Sequence, residues 1–504
     1  MSSSSNNDSN SNKQEFYNEF RKKKRESFFK RHSKSKLFKW ACIGFAGYYT
    51  FVLCQKPWIY HPKAIHNADA FQEHLKRSVE NFNRRFCPTP WLINTHAQTI
   101  YGAACRHIID DQDEALFKKK RNQYEFEDGA TINLDWFEPA NTTTTNSSSD
   151  GGAAAATTGQ QSERKKTTIF ILPGLSGGTG AVGVKHLISS FVKAGYRCVV
   201  MDYKTTSNES STIQHGHHTL PPIVGDLDPI DLDKPKSTNQ TTKVIPGLTH
   251  TVKDIRNVIQ LVRKEVGKDE TLVGVGFSLG ANTLLTYLSE HVGKDAPKKQ
   301  GAKKLKDHHI HLPNDDGDES RNEFAYAISI GNPFDLNAAT LALQSNIFQR
   351  MIYDRAYAKE RIELYEKNKE LLPEDYIKLL PTLRTTRDVD DKINRPLCEG
   401  KFENVEKFYE FHSSGNKMKK ITVPTICLNA LDDPISTYSS IPFEAFVNYD
   451  KLMLVTTTRG GHIASLDGFF APKKESWMER TSVQIVKSMD EWREGLTKRT
   501  SKLD

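Results

Sequence analysis

The sequence predicts an α/β protein: a mostly parallel β-sheet with helices on both faces. Two features carry this expectation. Short apolar runs that end in turns alternate along the chain with amphipathic segments at helical spacing. The runs are apolar throughout, without polar–apolar alternation, as strands buried on both faces must be.

In order, "TTIFILPG" (167–174) reads as a buried strand running into a turn, and "VKHLISSFVKAG" (184–195) as a helix closed by Gly195. "YRCVVMDY" (196–203) is the next strand. "VKDIRNVIQLVRKEVG" (252–267) has helical spacing and ends in Gly267. "TLVGVGFS" (271–278) is a strand and "LGANTLLTYLSEHV" (279–292) a helix. "FAYAISIGNP", "PTICLNALDDP" and "KLMLVTTTRGGH" are three further strands, and "SVQIVKSMDEWREGL" (482–496) is a last helix. Upstream, "NQYEFEDGATINLDWFEP" (122–139) reads as a hairpin turned at Asp128-Gly129. The helical pattern of "RMIYDRAYAKERIELYEKNKELLPEDYIKLLP" (350–381) falls between two strands. An insertion there is expected to sit over the C-terminal edge of the sheet as a cap or lid.

The chain has 504 residues, enough for a large core, yet only 37% are hydrophobic. Polar tracts dilute it. "MSSSSNNDSNSN" opens the chain, and 141–166, 205–244 and 296–323 read as flexible loops, too polar to offset their chain entropy by burial. There is no internal repeat. Seven scattered cysteines without paired spacing argue against a disulfide framework and a zinc site, and read mostly as buried apolar residues.

Net charge is +8, and residues 1–39 hold eleven Lys/Arg against four Asp/Glu, so 11 − 4 = +7 of it lies there. The remainder is nearly neutral, and no nucleic-acid partner is expected. This basic run precedes "WACIGFAGYYTFVLC" (40–54), fifteen uncharged residues flanked by Lys39 and Lys56. A full span takes about 20 apolar residues. Residues 37–56 are therefore expected to be a single membrane anchor, short or interfacial, after a disordered basic segment, 1–36. If the segment spans, with its N-terminus cytoplasmic, the main domain lies on the other side; if it only inserts, everything stays on one face. Sequons at Asn141, Asn146, Asn208 and Asn239 fall in Ser/Thr-rich loops and do not choose between these.

Ser278 lies between Gly276 and Gly280 in "GFSLG", at the end of a strand and before a helix, the context of a nucleophile elbow. There the serine takes a strained backbone conformation, and side chains in place of the glycines would clash between strand and helix. The following helix start offers the Leu279 N–H to a developing oxyanion. A serine needs a base, and the base an orienting acid. "LNALDDPIS" supplies Asp432 and Asp433, with Asp433 favoured and Asp432 supporting the loop. "TTRGGHIASLDG" supplies His462. All stand after strands, in the chain order Ser, Asp, His. The Gly-rich "LPGLSGGTG" (172–180) offers the Leu175 N–H as a second oxyanion donor, and without G-K-[ST] it does not read as a phosphate loop. No cofactor and no metal are expected. "KDHHIH" (306–311) sits in a polar tract and reads as exposed loop.

With these residues in place, the sequence resembles the membrane-anchored α/β-hydrolase-domain subfamily, which includes yeast medium-chain ethyl-ester acyltransferases and monoacylglycerol lipase, mammalian lipid esterases and bacterial relatives. The resemblance rests on "PWLINTHAQTIYG" (90–102), "DGATINLDW", "PGLSGG", "GFSLGAN", "GNPFDL", "VPTICLNALDDP" and "GGH", and covers about residues 85–495 apart from the insertions. It implies the α/β-hydrolase fold with core segments 85–333 and 421–498, a cap at 334–420, and a triad of Ser278, Asp433 and His462. Pro173 stands where many members carry His. His96 and Gln98, in the W-x-x-N-x-H-x-Q-T block, read as part of a structural lead-in. His462-x4-Asp467 matches a loose acyltransferase pattern whose histidine already has a role.

The expected activity is that of a serine esterase or lipase acting on lipid acyl esters such as monoacylglycerol or medium-chain esters. The alternatives are an acyl-CoA:alcohol O-acyltransferase with the same residues and, remotely, a non-catalytic lipid-binding protein. The expected partners are the lipid substrate and a membrane, at an endomembrane or lipid-droplet surface, with the oligomeric state open.

Overall fold

The computed structural model describes residues 22–23, 36–63, 70–106, 117–125, 130–140, 167–175, 178–201, 205–206, 252–290, 323–367, 369, 372–398 and 401–500. The flexible-loop tracts and "KDHHIH" fall wholly or almost wholly outside them, as does the Asp128-Gly129 turn. The chain divides into two units, Met1–Gln55 and Lys56–Asp504.

In the first unit, helix α1 (Lys36–Tyr48) continues into a π-type turn, Tyr49–Leu53. Trp40, Ile43, Phe45, Tyr48, Phe51 and Val52 are exposed large apolar side chains. Among the described residues no helix is long and apolar enough to cross a membrane. The expectation of a spanning transmembrane helix is corrected accordingly: fifteen uncharged residues bounded by Lys39 and Lys56 are too few.

The second unit is built on a ten-stranded sheet. Its strands are β1 (Trp58–Tyr60), β2 (Phe117–Glu125), β3 (Ala130–Pro139), β4 (Thr167–Leu172), β5 (Arg197–Met201), β6 (Thr205–Thr206), β7 (Thr271–Phe277), β8 (Tyr326–Ile330), β9 (Thr425–Ala430) and β10 (Leu452–Thr457). They run in the order β1-β10-β9-β8-β7-β4-β5-β3-β2, with β6 beside β3. From β5 through β10 every neighbouring pair is parallel, and β1, β2, β3 and β6 add antiparallel pairs at the flanks. This is the α/β-hydrolase fold. Strand β1 precedes residue 85, so the sheet draws on chain upstream of the expected core. A three-residue strand carries no periodicity to reveal it.

Alternation along the strands divides the core into two layers. Ile169 and Ile171, Val273 and Val275, Ile426 and Leu428 face one side, where α2 (Phe71–Ser78), α4 (Val182–Lys193) and α10 (Trp477–Thr500) bury Leu75, Leu187, Phe191, Ile485 and Met489. Phe170, Leu172, Leu272 and Cys427 face the other, against α5 (Val252–Val266) and α6 (Leu279–Glu290), through Ile255, Ile259, Leu284 and Leu288. Numbered in the same series, α3 is Thr95–Ile100, and the insertion between β8 and β9 contributes α7 (Leu336–Gln344), α8 (Arg355–Lys367) and α9 (Val405–His412). Gly195 and Gly267 end α4 and α5 at φ +88° and +82°, the left-handed geometry that glycine supplies without strain.

Register places the functional edge. Leu172 lies opposite Gly276, Phe277 opposite Ile330, Ile330 opposite Leu428, and Ala430 opposite Thr457. The turns after β4, β7, β9 and β10 therefore leave one C-terminal edge together, the usual ligand edge of such sheets. The connections from β3 to β4 and from α6 to β8 attach at the opposite edge. The one from β6 to α5 attaches at the functional edge.

None of the seven cysteines is in a disulfide; Cys54, Cys198, Cys398 and Cys427 are buried, while Cys42 and Cys105 are exposed.

Candidate active site

Ser278 sits between β7 and α6 with φ 53°, a left-handed conformation uncommon for a residue with a side chain. The strand and helix enforce it. A Cβ on Gly276 would lie 2.5 Å from Ala281 Cα, and one on Gly280 would lie 2.2 Å from the Pro173 carbonyl oxygen, so both positions exclude any side chain. The Ser278 amide donates to the Ile330 carbonyl at 2.8 Å, fixing the turn to β8.

Strain gathers at this site. Among the described residues the non-glycine positions with positive φ are Ser278, Ile463 (59°) and Ser465 (41°), the last two beside His462.

Three side chains meet in a continuous line. His462 Nε2 is 2.9 Å from Ser278 Oγ, and His462 Nδ1 is 2.8 Å from Asp433 Oδ2. The other Asp433 oxygen accepts the Ile435 and Ser436 amides, both at 2.8 Å. Asp433 is thus held as an oriented carboxylate. All three residues are 9% exposed or less.

The neighbouring carboxylate is differently placed. Asp432 accepts the Gly461 amide at 3.0 Å, and Thr95 Oγ donates to its carbonyl. Its second carboxylate oxygen is buried without a hydrogen-bond partner, and the Arg459 guanidinium stands 3.9 Å away. Burial pushes the Asp432 pKa up to about 6, against the lowering effect of the Gly461 amide and Arg459. Of the Asp pair, then, Asp433 contacts the histidine and Asp432 braces the loop that carries it.

The block at 90–102 braces the same loop. Asn94 caps α3, accepting the His96 and Ala97 amides. From that helix Thr99 Oγ accepts the His462 amide at 2.9 Å and donates to the Thr95 carbonyl at 2.8 Å. Gln98 clasps Leu466, accepting its amide at 2.8 Å and donating to its carbonyl at 3.3 Å. A Cβ on Gly461 would meet Thr99 Oγ at 2.6 Å, so only glycine allows this approach. His96 stays clear of Ser278 and Asp433, its Nδ1 3.1 Å from the Tyr353 hydroxyl and its ring against Phe348. Asp467, at the end of the His462 loop, is held by Arg480 and Lys473, each at 2.8 Å. The sequence reads this block as a structural lead-in but does not reveal which of its side chains reaches His462.

Other ties fix the surrounding elements. Asn282, on α6, donates to the His412 carbonyl and accepts the Ser414 amide, both at 2.8 Å, joining the helix behind Ser278 to the end of the insertion. Asp135, fully buried on β3, is bound by Arg121 through two 2.6 Å bonds and by Thr179 of the Gly-rich loop at 2.8 Å. Burial alone would raise the Asp135 pKa, but Arg121, Lys119 and Thr179 outweigh it and hold the carboxyl below its ordinary value.

Ser278 opens into a cleft of about 740 Å³ of empty space, partly open to solvent. Leu175 and Leu279 line it beside Ser278. Leu279 is the first residue of α6, so its N–H has no intrahelical acceptor. Leu336, Leu343, Ile435 and Phe408 give the cleft apolar walls. Its far end is polar: Arg361 and Asp390 form a buried pair from two segments of the insertion, which Tyr409 joins at 2.8 Å and Asn394 at 2.6 Å. The insertion at 334–420 thus lines the cleft over Ser278. Among the described residues no group of three His, Cys, Asp or Glu is placed to hold a metal.

The chain has relatives among known proteins. The chain is similar in sequence to α/β-hydrolase-domain proteins. It is 22% identical to phospholipase ABHD3 of Homo sapiens over 449 residues, 89% of this chain and 88% of that protein. It is 24% identical over 420 residues to the embryogenesis-associated protein EMB8 of Picea glauca, covering 82% of this chain and 75% of that one. Over 216 residues it is 26% identical to a monoacylglycerol lipase of Saccharomyces cerevisiae, covering 42% of this chain and 41% of the lipase. No family model matches the chain. Relatives with lipase and phospholipase activities support a hydrolase.

Proposed function

We propose that the chain is a serine esterase or lipase acting on lipid acyl esters, with Ser278 as nucleophile, His462 as general base and Asp433 as the acid that orients it. The observation that carries this is the unbroken contact from Asp433 Oδ2 through the His462 ring to Ser278 Oγ, at 2.8 and 2.9 Å. Held so, His462 takes the Ser278 proton as Oγ attacks an ester carbonyl, and Asp433 stabilises the imidazolium that results. The oxyanion forms beside the Leu175 and Leu279 amides. Collapse expels the alcohol, which receives its proton from His462. Water then repeats the sequence on the acyl-serine and frees the acid.

Apolar walls around Ser278 suit an acyl chain, and the similarity to a phospholipase and a monoacylglycerol lipase supports the reading of monoacylglycerol or medium-chain esters as substrates. If an alcohol takes the place of water, the same acyl-serine yields an ester, which is the acyl-CoA:alcohol transfer reading. Residues 334–420 act as the cap between core segments 85–333 and 421–498. The apolar side chains exposed on residues 37–56, after a basic lead, fit attachment to the surface of an endomembrane or lipid droplet without crossing it.

A panel of acylglycerols, phospholipids and acyl-CoA plus ethanol, run on wild type and Ser278→Ala, tests the reading. Free acid as product supports hydrolysis, ethyl ester assigns transfer, and fluorophosphonate labelling that survives Ser278→Ala refutes the nucleophile. Flotation with anionic vesicles, with and without residues 1–55, tests attachment.

A further inference from the structure

One face of the insertion's helical segment looks onto the cleft. Tyr353, in the π-type turn Arg350–Asp354, and Tyr357 and Arg361 on α8 follow at four-residue spacing and so share that face. Tyr353 and Arg361 are engaged by protein: the Tyr353 hydroxyl meets His96 and Thr99, and the terminal nitrogens of Arg361 bind Asp390. Tyr357 is not engaged in this way. It lines the cleft with Ser278, and its hydroxyl bonds to no described residue.

Its position relative to the reacting atoms follows from its neighbours. Tyr357 packs on the cluster of Leu343, Tyr353 and Ile435, and Ile435 follows Asp433 by two residues and donates its amide to that carboxylate. Tyr353 in turn reaches Thr99, which holds the His462 amide. Tyr357 therefore stands towards the Asp433–His462 side of the cleft. In acyl transfer that side belongs to the alcohol. His462 must be within reach of the departing alkoxy oxygen to protonate it, and within reach of the incoming oxygen to deprotonate it.

We propose that Tyr357 is a specificity-determining residue that hydrogen-bonds a second oxygen on the alcohol portion of the ester, favouring polyol esters such as acylglycerols over esters of simple alcohols. The inference rests on the triad reading above. In acylation the Ser278 Oγ–acyl bond forms, the acyl–alkoxy bond breaks, and the proton passes from Ser278 through His462 to the alkoxy oxygen. Tyr357 neither gains nor loses a proton; it donates a hydrogen bond to a neighbouring hydroxyl or ester oxygen of the leaving alcohol.

The test compares Tyr357→Phe with the full-length wild type on two esters of one medium-chain acid, the 1-monoacylglycerol and the p-nitrophenyl ester, with thermal unfolding of both proteins. Loss of one neutral hydrogen bond is expected to lower kcat/KM for the monoacylglycerol about 3- to 10-fold. The p-nitrophenyl ester, which carries no second oxygen beside the scissile bond, should be hydrolysed at the wild-type rate, and Tm should stay unchanged. Equal losses on both esters, no loss on the monoacylglycerol, or a variant that fails to fold would overturn the assignment. A wild type inert towards both esters and towards fluorophosphonate would instead bring down the triad reading, and this proposal with it.

Discussion

Thr99→Val tests whether the 90–102 block acts on catalysis through the backbone of His462. The substitution keeps the shape of the side chain and removes one oxygen. That oxygen accepts the His462 amide at 2.9 Å and donates to the Thr95 carbonyl at 2.8 Å, in a residue only 5% exposed. Valine leaves the His462 N–H buried without an acceptor, a cost of about 1–3 kcal/mol. The loop recovers part of this only by moving, and Ile463 and Ser465 already hold it at positive φ, so motion there carries His462 with it. A shift of about 1 Å in a catalytic group costs up to ~100-fold in rate. The expected result is kcat lowered ~10- to 100-fold, KM little changed because Thr99 does not line the cleft, and a lower Tm. Thr99→Ser, which restores the oxygen, should recover most of kcat. Steady-state kinetics on a p-nitrophenyl ester and thermal melts read all three. A Thr99→Val enzyme with kcat within about twofold of wild type, or a loss that serine does not rescue, would refute the argument.

Four further outcomes follow from the same geometry. Ser278→Ala should abolish fluorophosphonate labelling and lower esterase kcat by about 10⁴-fold or more, with Tm unchanged. Asp433→Asn should cost about 10⁴ in kcat, whereas Asp432→Asn, which keeps the acceptor for the Gly461 amide, should cost far less. Because the Asp432 pKa is raised in the folded chain to about 6, the folded state holds a proton that the unfolded state releases from about pH 4. Wild-type stability should therefore decline as pH rises through that window, and Asp432→Asn should flatten the decline in melts from pH 4.5 to 7.5. Gly280→Ala places a Cβ 2.2 Å from a backbone oxygen and should destabilise by about 3 kcal/mol or more, read as loss of soluble protein or a much lower Tm.

The sequence shows the line of Ser278, Asp433 and His462 because each stands in a turn after an apolar strand, and strand ends are written locally. Choosing Asp433 over Asp432 was within reach for the same reason: the residue directly before Pro434 begins a turn that aims its side chain. Thr99 was not legible. It meets His462 across 363 residues of chain, and a threonine inside a short helix carries no local sign of such a partner. Tyr357 and the buried Arg361–Asp390 pair were hidden too, because the helical pattern of 350–381 suggests a cap but not which of its side chains turn towards the cleft. The hydrophobic pattern around residue 45 gave an apolar segment but not its consequence, since the same residues serve a spanning or a surface-lying helix and only length separates them.

The edges of the sheet divide the labour of the molecule. The connections that carry the polar tracts 141–166 and 296–323 leave and rejoin at the edge remote from Ser278, while that carrying 205–244 joins at the edge where the chemistry sits. Chain can lengthen at the remote edge without displacing a reacting atom, so growth there is a free variable for fusion or partner recruitment. Two connections of like composition therefore differ in where they attach: the described ends of one pair stand remote from Ser278, those of the other on its edge of the sheet.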